Sequence, residues 1–326
     1  MYLDHKTVFL AGSTGLAGTS IMNHILKDYP TVTIQASYFK QIKPFIRHKR
    51  IKYIYGDLRS EKACLRMIKG CDCAIMAAAN TGGARIAVAK PWQQVDDNVI
   101  MNARLLSAFH HQKIKRAVYI GSATLYQEFE GAIREDEIDF NKDPHPAYLG
   151  VGWVMRFIEK LCQFWHAQTG IEIVMARCSN IFGPYAKFDP LTSNFVPAII
   201  RKAVDKQDPF EVWGSPDVTR DVIYAEDFAK AIVMMLDNDN IKFDTFNIGS
   251  GTKTTVADVV MWALKYAGHG PSQIKYLTDK PQTIRFRGLD CSKAKKILGW
   301  QPQYTAQQGV AKTLEWWRNN RRYWRR

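Results

Sequence analysis

The sequence predicts an α/β fold: a Rossmann-type, doubly wound parallel sheet with a smaller, interleaved C-terminal lobe. Three observations carry that prediction. A glycine-rich turn sits where a first strand becomes a first helix. Strand and helix patterns alternate through the first half of the chain, which argues for a parallel sheet. Past residue 178 the punctuation rises, with Gly183-Pro184, Asp189-Pro190, Asp208-Pro209 and Gly214-Ser215-Pro216, as expected of a loop-rich lobe over the sheet.

Taken in order, Thr7-Val8-Phe9-Leu10-Ala11 reads as a short buried strand, 7–11. It runs into Gly12-Ser13-Thr14-Gly15-Leu16-Ala17-Gly18 and then into a helix over 15–28, patterned by Ile21, Met22, Ile25 and Leu26. Gly12, Gly15 and Gly18 allow a tight turn, close approach of backbone N–H groups to a pyrophosphate, and close packing of helix on strand. The helix N-terminus adds positive partial charge there. Glycine turns also arise for backbone reasons alone. The strand before and helix after make this one a dinucleotide-binding turn. Further strands are expected at 31–36, 51–55, 73–78, 116–121 and 171–176, with helices at 60–69, 94–112 and 147–168. Residues 1–178 form the dinucleotide-binding domain in this reading. Residues 179–326 form mainly a substrate lobe, with segments near 218–250 returning to the first domain.

The chain has 326 residues, 46% hydrophobic and 23% charged, the composition of an ordinary globular protein. No apolar run approaches the ~20 residues that span a bilayer. A strand begins almost at the N-terminus with no visible secretory signal, so a cytoplasmic protein is expected. Six cysteines (Cys64, Cys71, Cys73, Cys162, Cys178 and Cys291) form no C-x-x-C pair, and no His cluster completes a metal site. They read as reduced thiols. The net charge of +14 suits an anionic substrate. Five arginines fall within residues 318–326, a run that reads as a solvated helix end rather than a nucleic-acid contact.

Several stretches, in order, resemble the extended short-chain dehydrogenase/reductase family and its nucleotide-sugar epimerase/dehydratase branch. The glycine turn is similar to that family's T-G-x-x-G-x-x-G. Tyr55-Gly56-Asp57-Leu58 resembles its adenine-contacting segment, and Ala77-Ala78-Ala79 its small residues beside the cofactor. Asn98 lies in the expected helix. Arg177-Cys178-Ser179-Asn180-Ile181-Phe182-Gly183-Pro184 resembles R-x-x-N-x-Y-G-P. Arg220-Asp221-Val222-Ile223-Tyr224-Ala225-Glu226-Asp227 resembles R-D-[FV]-x-x-V-x-D. The run from Ser292 to Trp300, with Pro302, resembles S-K-A-x-x-x-L-G-W-x-P.

The resemblance implies site roles. Gly12, Thr14, Gly15, Leu16, Gly18, Asp57, Leu58, Ala77, Ala78, Ala79 and Asn98 fall at cofactor positions. Ser122, in Ser122-Ala123-Thr124-Leu125-Tyr126, gives its hydroxyl to the reacting sugar oxygen. Dehydratases of the branch place Asp and Glu at positions 123 and 124, and GDP-fucose synthase places a Cys at 124 with a His that falls on Asn194. Ala123, Thr124 and Asn194 supply none of these groups, though Thr124 still stands with Ser122 and Tyr148 among the catalytic positions. What survives is hydride transfer at the sugar C4, as epimerisation or keto reduction. Tyr148 is the family's acid/base. The lysine of Y-x-x-x-K, whose charge eases loss of the tyrosine proton, is replaced by Gly152. That motivates a second reading, a non-catalytic dinucleotide-binding scaffold. Arg156, one turn further, is the next cation on the helix.

Cofactor choice rests on residues 36–40. No carboxylate stands there to accept from a ribose 2′-OH. Ser37 and Lys40 suit a 2′-phosphate, which favours NADP over NAD and hence a ketoreductase, whereas Ser-Ala-Thr-Leu-Tyr is similar to the string of UDP-glucose 4-epimerases. For the nucleotide-sugar substrate, Arg220 suits the diphosphate, and Asn180 and Asn194 suit sugar or phosphate groups. Trp213 suits either a nucleotide stack or a core position. The family pairs through two helices, here 94–112 and 147–168, so a homodimer is expected, with Phe109, Trp153, Phe157 and Phe164 on their outward faces, although burial against the sheet explains such an apolar face equally well. The usual setting of such enzymes is polysaccharide biosynthesis.

Overall fold

The computed structural model describes residues 1–39, 44–81, 91–278 and 288–323. Seven strands build its central sheet: β1 (Thr7–Ala11), β2 (Thr33–Tyr38), β3 (Ile51–Tyr55), β4 (Cys73–Met76), β5 (Arg116–Ser122), β6 (Glu172–Cys178) and β7 (Phe243–Ile248). Their spatial order is β7-β6-β5-β4-β1-β2-β3, and every pairing is parallel. This bears out the doubly wound α/β fold class. The strand order reverses between β1 and β4, so a crevice opens beyond their carboxyl ends. In register, Ser122 pairs with Cys178 and Cys178 with Ile248, which brings the ends of β5, β6 and β7 to one edge.

The strands are near-continuous apolar runs because helices cover both faces. On one face α1 (Leu16–Asp28) packs against α6 (Ala225–Asp237), and Ile21, Met22, Ile25, Phe228 and Ile232 close the core with Val8 and Leu10. On the other lie α2 (Glu61–Ile68), α3 (Asp96–His111) and α4 (Leu149–Thr169), where Met67, Leu105, Phe109 and Ile158 pack on Phe9, Ala74 and Ala117. Phe109 is therefore fully buried rather than on an outward face: it points at the sheet. The outer side of α4 does expose Trp153, Phe157 and Phe164. Strand β2 runs two residues later than the sequence suggests, because Thr33, not Thr31, pairs with Thr7.

A third core belongs to α5 (Phe195–Val204), α7 (Val256–Ala267) and α9 (Ala306–Asn320), with Phe210 and Val212 of a short strand. A short helix, α8 (Ser292–Leu298), packs on the first core through Ala294 and Leu298. At the end of α9, Arg321 donates to the Val204 carbonyl at 3.1 Å and pairs with Asp205 at 3.2 Å. That part of the basic tail therefore closes the end of α5, where a cation suits the helix dipole. Five cysteines are buried and Cys291 is half-buried, all as free thiols. Among the described residues no helix is long and apolar enough to cross a membrane, and no cluster of metal-ligating side chains occurs.

Candidate active site

The turn between β1 and α1 packs closely on its neighbours because side chains are absent. Gly12 has φ +78°, and a Cβ there would lie 2.7 Å from the Ala78 Cα. A Cβ on Gly18 would overlap the Gly12 carbonyl oxygen. The Gly15 N–H closes the turn onto the Gly12 carbonyl at 3.2 Å. Helix α1 starts with Gly15 as its cap, without a side-chain cap and without an acid in its first turn. First-turn N–H groups have no partner inside a helix, so this end suits an anion. Thr14 is half-buried on the turn. Leu16 points elsewhere, packing against the third core and linking turn to lobe. Ala77, Ala78 and Ala79 follow β4, and the backbone of Ala77 and Ala78 lies against Gly12.

Other expected cofactor residues are placed differently. Ser37 is 1% exposed; its hydroxyl accepts from the Gly12 N–H at 3.2 Å, and its carbonyl accepts from the Ser13 N–H and hydroxyl at 3.0 and 2.8 Å. It serves the turn and is not presented to a phosphate. Asn98 is equally enclosed. Its amide donates to the carbonyls of Asn80 (3.1 Å) and Gln94 (2.7 Å) and accepts from the Asn80 N–H (2.8 Å), so it braces the loop after β4. The Leu58 side chain is buried in the second core. The Asp57 carboxylate accepts from the Arg59 guanidinium, which holds it below the usual carboxylate range; Arg59 also reaches Asp97 at 2.9 Å. Lys40 lies outside the described residues.

At the end of β5 the chain enters a short turn, Ala123–Leu125, capped by Ser122, whose Oγ accepts from the Thr124 N–H at 3.3 Å. The Thr124 Oγ1 is buried without a hydrogen-bond partner. A buried, unsatisfied hydroxyl is costly, and such groups concentrate at functional sites. Tyr148 caps the start of α4, half-buried, its ring 6.1 Å from that of His145. Gly152 packs flush on the turn. A Cβ there would meet Pro144 Cβ at 2.5 Å and the Thr124 carbonyl oxygen at 2.7 Å, so no side chain fits where a lysine is expected. Arg156 turns away from that place, donating from Nε to the Leu125 carbonyl and from Nη1 to the Lys142 carbonyl.

Beneath the turn lies a buried polar network. Tyr126 donates to Asn247 Oδ1 at 2.7 Å and accepts from Arg177 Nη1 at 2.9 Å. Arg177 forks onto Glu159 of α4 at 2.9 and 2.8 Å. On the lobe side, Arg220 ends the strand Thr219–Arg220, which pairs with Thr254–Thr255. Burial lowers the basicity of the Arg220 guanidinium, an effect that the neighbouring Tyr148 only partly opposes. Next to Arg220, the Asp221 carboxylate accepts from the Ser250 N–H at 2.7 Å and the Gly251 N–H at 3.2 Å. Exposed Asn180 donates from Nδ2 to the Asp221 carbonyl at 3.2 Å. Asn194 caps α5 through its backbone, leaving its side chain uninvolved in the cap. Trp213 is 45% exposed, a surface and not a core tryptophan. The sequence reading gave no part to Asp221's hold on residues 250–251 or to the network around Tyr126; a buried acid beside Arg220 in the motif was the one available signal.

Residues 8–249 match the model of the NAD dependent epimerase/dehydratase family. The chain belongs to that family. The resemblance read from the ordered motifs is thereby borne out. Among relatives, a GDP-L-fucose synthase of Sinorhizobium fredii is 27% identical over 322 residues, 97% of this chain and 96% of that protein. A dTDP-glucose 4,6-dehydratase of Streptomyces niveus is 25% identical over 97% of this chain and 94% of its own length. Among solved structures, the Bacillus cereus UDP-glucuronic acid 4-epimerase with UDP-glucuronic acid and NAD has the same fold. Its TM-score is 0.82 at 21% identity, over 96% of this chain and 99% of that one. The family's glycine turn fits this chain: Gly12 lets the turn close on the backbone of Ala77-Ala78, and Gly18 lets α1 close on that of Gly12-Ser13, where a Cβ would clash.

Proposed function

We propose that this chain is an NAD(P)-dependent enzyme that transfers hydride at C4 of a nucleotide-diphosphate sugar, as a 4-epimerase or a 4-keto-sugar reductase. The observation that carries the reading is the docking of α4 on the Ser122 turn. Tyr148, Val151, Gly152 and Met155 follow one another on that face at helical spacing, and of these only Tyr148 has an exchangeable proton. Ser122 holds the C4 oxygen by a hydrogen bond. Tyr148 takes the hydroxyl proton as the carbonyl forms and returns it in the reverse direction. A dinucleotide held in the glycine turn would supply the hydride chemistry at C4. Gly12, Thr14, Gly15, Gly18 and the alanines after β4 would hold the dinucleotide. With Ser37 enclosed, the case for NADP over NAD loses one of its two residues. Ala123 and Thr124 leave no carboxylates for dehydration.

Arg220 pairs with the substrate diphosphate, and Asn180 and Asn194 contact sugar or phosphate. The exposed aromatic stripe of α4 supports a homodimer formed through α3 and α4. The cytoplasm is the proposed location. The test begins with mass spectrometry of small molecules released from freshly purified protein, followed by titration with NADH and NADPH. Stoichiometric NAD supports an epimerase; an empty protein that binds NADPH supports a reductase; affinity for neither favours a scaffold. Against nucleotide sugars, Tyr148→Phe is expected to lose turnover at least a hundredfold and keep substrate binding. Undiminished turnover in that variant removes Tyr148 from the mechanism.

A further inference from the structure

The relay above needs Ser122 and Tyr148 at a fixed separation, yet the two sit on different segments and the turn that carries Ser122 barely holds itself. Its own hydrogen bonds, Thr124 N–H to Ser122 Oγ and Tyr126 N–H to the Ala123 carbonyl, are both 3.3 Å, at the long end of the range. The bonds imposed from outside are shorter. Arg156 Nε meets the Leu125 carbonyl at 2.7 Å, and Tyr126 meets Asn247 at 2.7 Å.

Arg156 is unusual in what it joins. It is 1% exposed, on the second turn of α4. Nε holds Leu125, three residues past Ser122, and Nη1 holds Lys142 at 2.6 Å, on the loop that leads into Tyr148. Its plane lies over the Trp153 ring at 4.8 Å and the Phe140 ring at 5.6 Å, so it cannot swing without losing both. Its Nη2 is buried and unpaired, a cost for a group whose position is otherwise fully fixed. An arginine fork reaches two carbonyls at once; a lysine ammonium is a point charge without that planar geometry.

We infer that Arg156 is the positioning residue of this site: by bridging Leu125 and Lys142 it sets the Ser122 turn against the segment that ends in Tyr148. The inference rests on the C4 hydride-transfer reading for its kinetic consequence, and its structural content is separable. The experiment compares Arg156→Met, Arg156→Lys and Arg116→Met. Arg116 is an equally buried arginine at the opposite end of β5, holding the carbonyls of Met235 and Leu236. Arg156→Met is expected to lower kcat at least tenfold with KM and dinucleotide affinity within twofold of wild type. Arg156→Lys recovers part of the loss because its ammonium can still donate to one of the two carbonyls. Arg116→Met loses thermal stability with kcat unchanged among the folded molecules.

A kcat for Arg156→Met within threefold of wild type, or an equal kcat loss in Arg116→Met, overturns the assignment. Should the wild type turn over no nucleotide sugar, the functional reading fails by itself. Hydrogen exchange of residues 122–126 then decides: at least tenfold faster exchange in Arg156→Met supports the bridge, and unchanged exchange refutes it.

Discussion

Restoring the family's lysine at position 152 should harm this protein. The substitution Gly152→Lys adds a Cβ that meets Pro144 at 2.5 Å and the Thr124 carbonyl oxygen at 2.7 Å. Ordinary contacts are about 3.5 Å or more, so one neighbour must give way by close to 1 Å. Helix propensity works the other way, favouring a side chain over glycine by up to about 1 kcal/mol. Overpacking costs about 1–3 kcal/mol, and an ammonium enclosed here adds desolvation, so the net expectation is a loss of about 2 kcal/mol. At ~2.1 cal/mol/K per residue, 326 residues convert that to a Tm lower by about 3 °C. The displaced Thr124 is hydrogen-bonded through its N–H to Ser122, so kcat should fall at least tenfold as well. Thermal melts with Gly152→Ala alongside, and turnover on nucleotide sugars, read both effects. A Gly152→Lys protein that is as stable as wild type and faster would show that the helix leaves room for a lysine, and the steric account would be wrong.

Two further outcomes follow from the geometry. Phe157→Glu puts a charge on the exposed stripe of α4 and should halve the mass measured by light scattering, with the melting curve retained; an unchanged mass places the dimer contact elsewhere or nowhere. Burial pushes the Asp221 carboxyl up, against the N–H groups of Ser250 and Gly251 that pull it down. With its folded value above the unfolded ~3.9, the native chain binds the proton more tightly, so this group's contribution to stability falls as pH rises through that interval. The wild-type advantage over Asp221→Asn in urea melts should therefore shrink from pH 4 to pH 7; an advantage that grows with pH means the hydrogen bonds outweigh burial.

Much of the fold was legible because its signals are local. Val8-Phe9-Leu10-Ala11 followed by three glycines fixes a strand, a turn and a helix within the first 28 residues. The later strands announce themselves as short apolar runs between amphipathic helices. The site was legible less evenly. Gly12 and Gly18 are required by backbone approach, which glycine alone permits, and Ser122 ends a strand whose place in the sheet follows from its order. Ser37 and Asn98 carry polar groups that sequence cannot assign, because each has partners on segments folded against it from elsewhere.

The sequence by itself determined the family, the parallel sheet, the glycine cradle and the missing lysine, since these depend on periodicity, residue size and order along the chain. Only the tertiary structure decided that Phe109 faces the sheet, that Ser37 serves the turn, that position 152 is closed, and that Arg156 bridges Leu125 to Lys142. Those facts are properties of which distant segments come to share a buried volume, where each polar group must find a partner and each cavity must be filled.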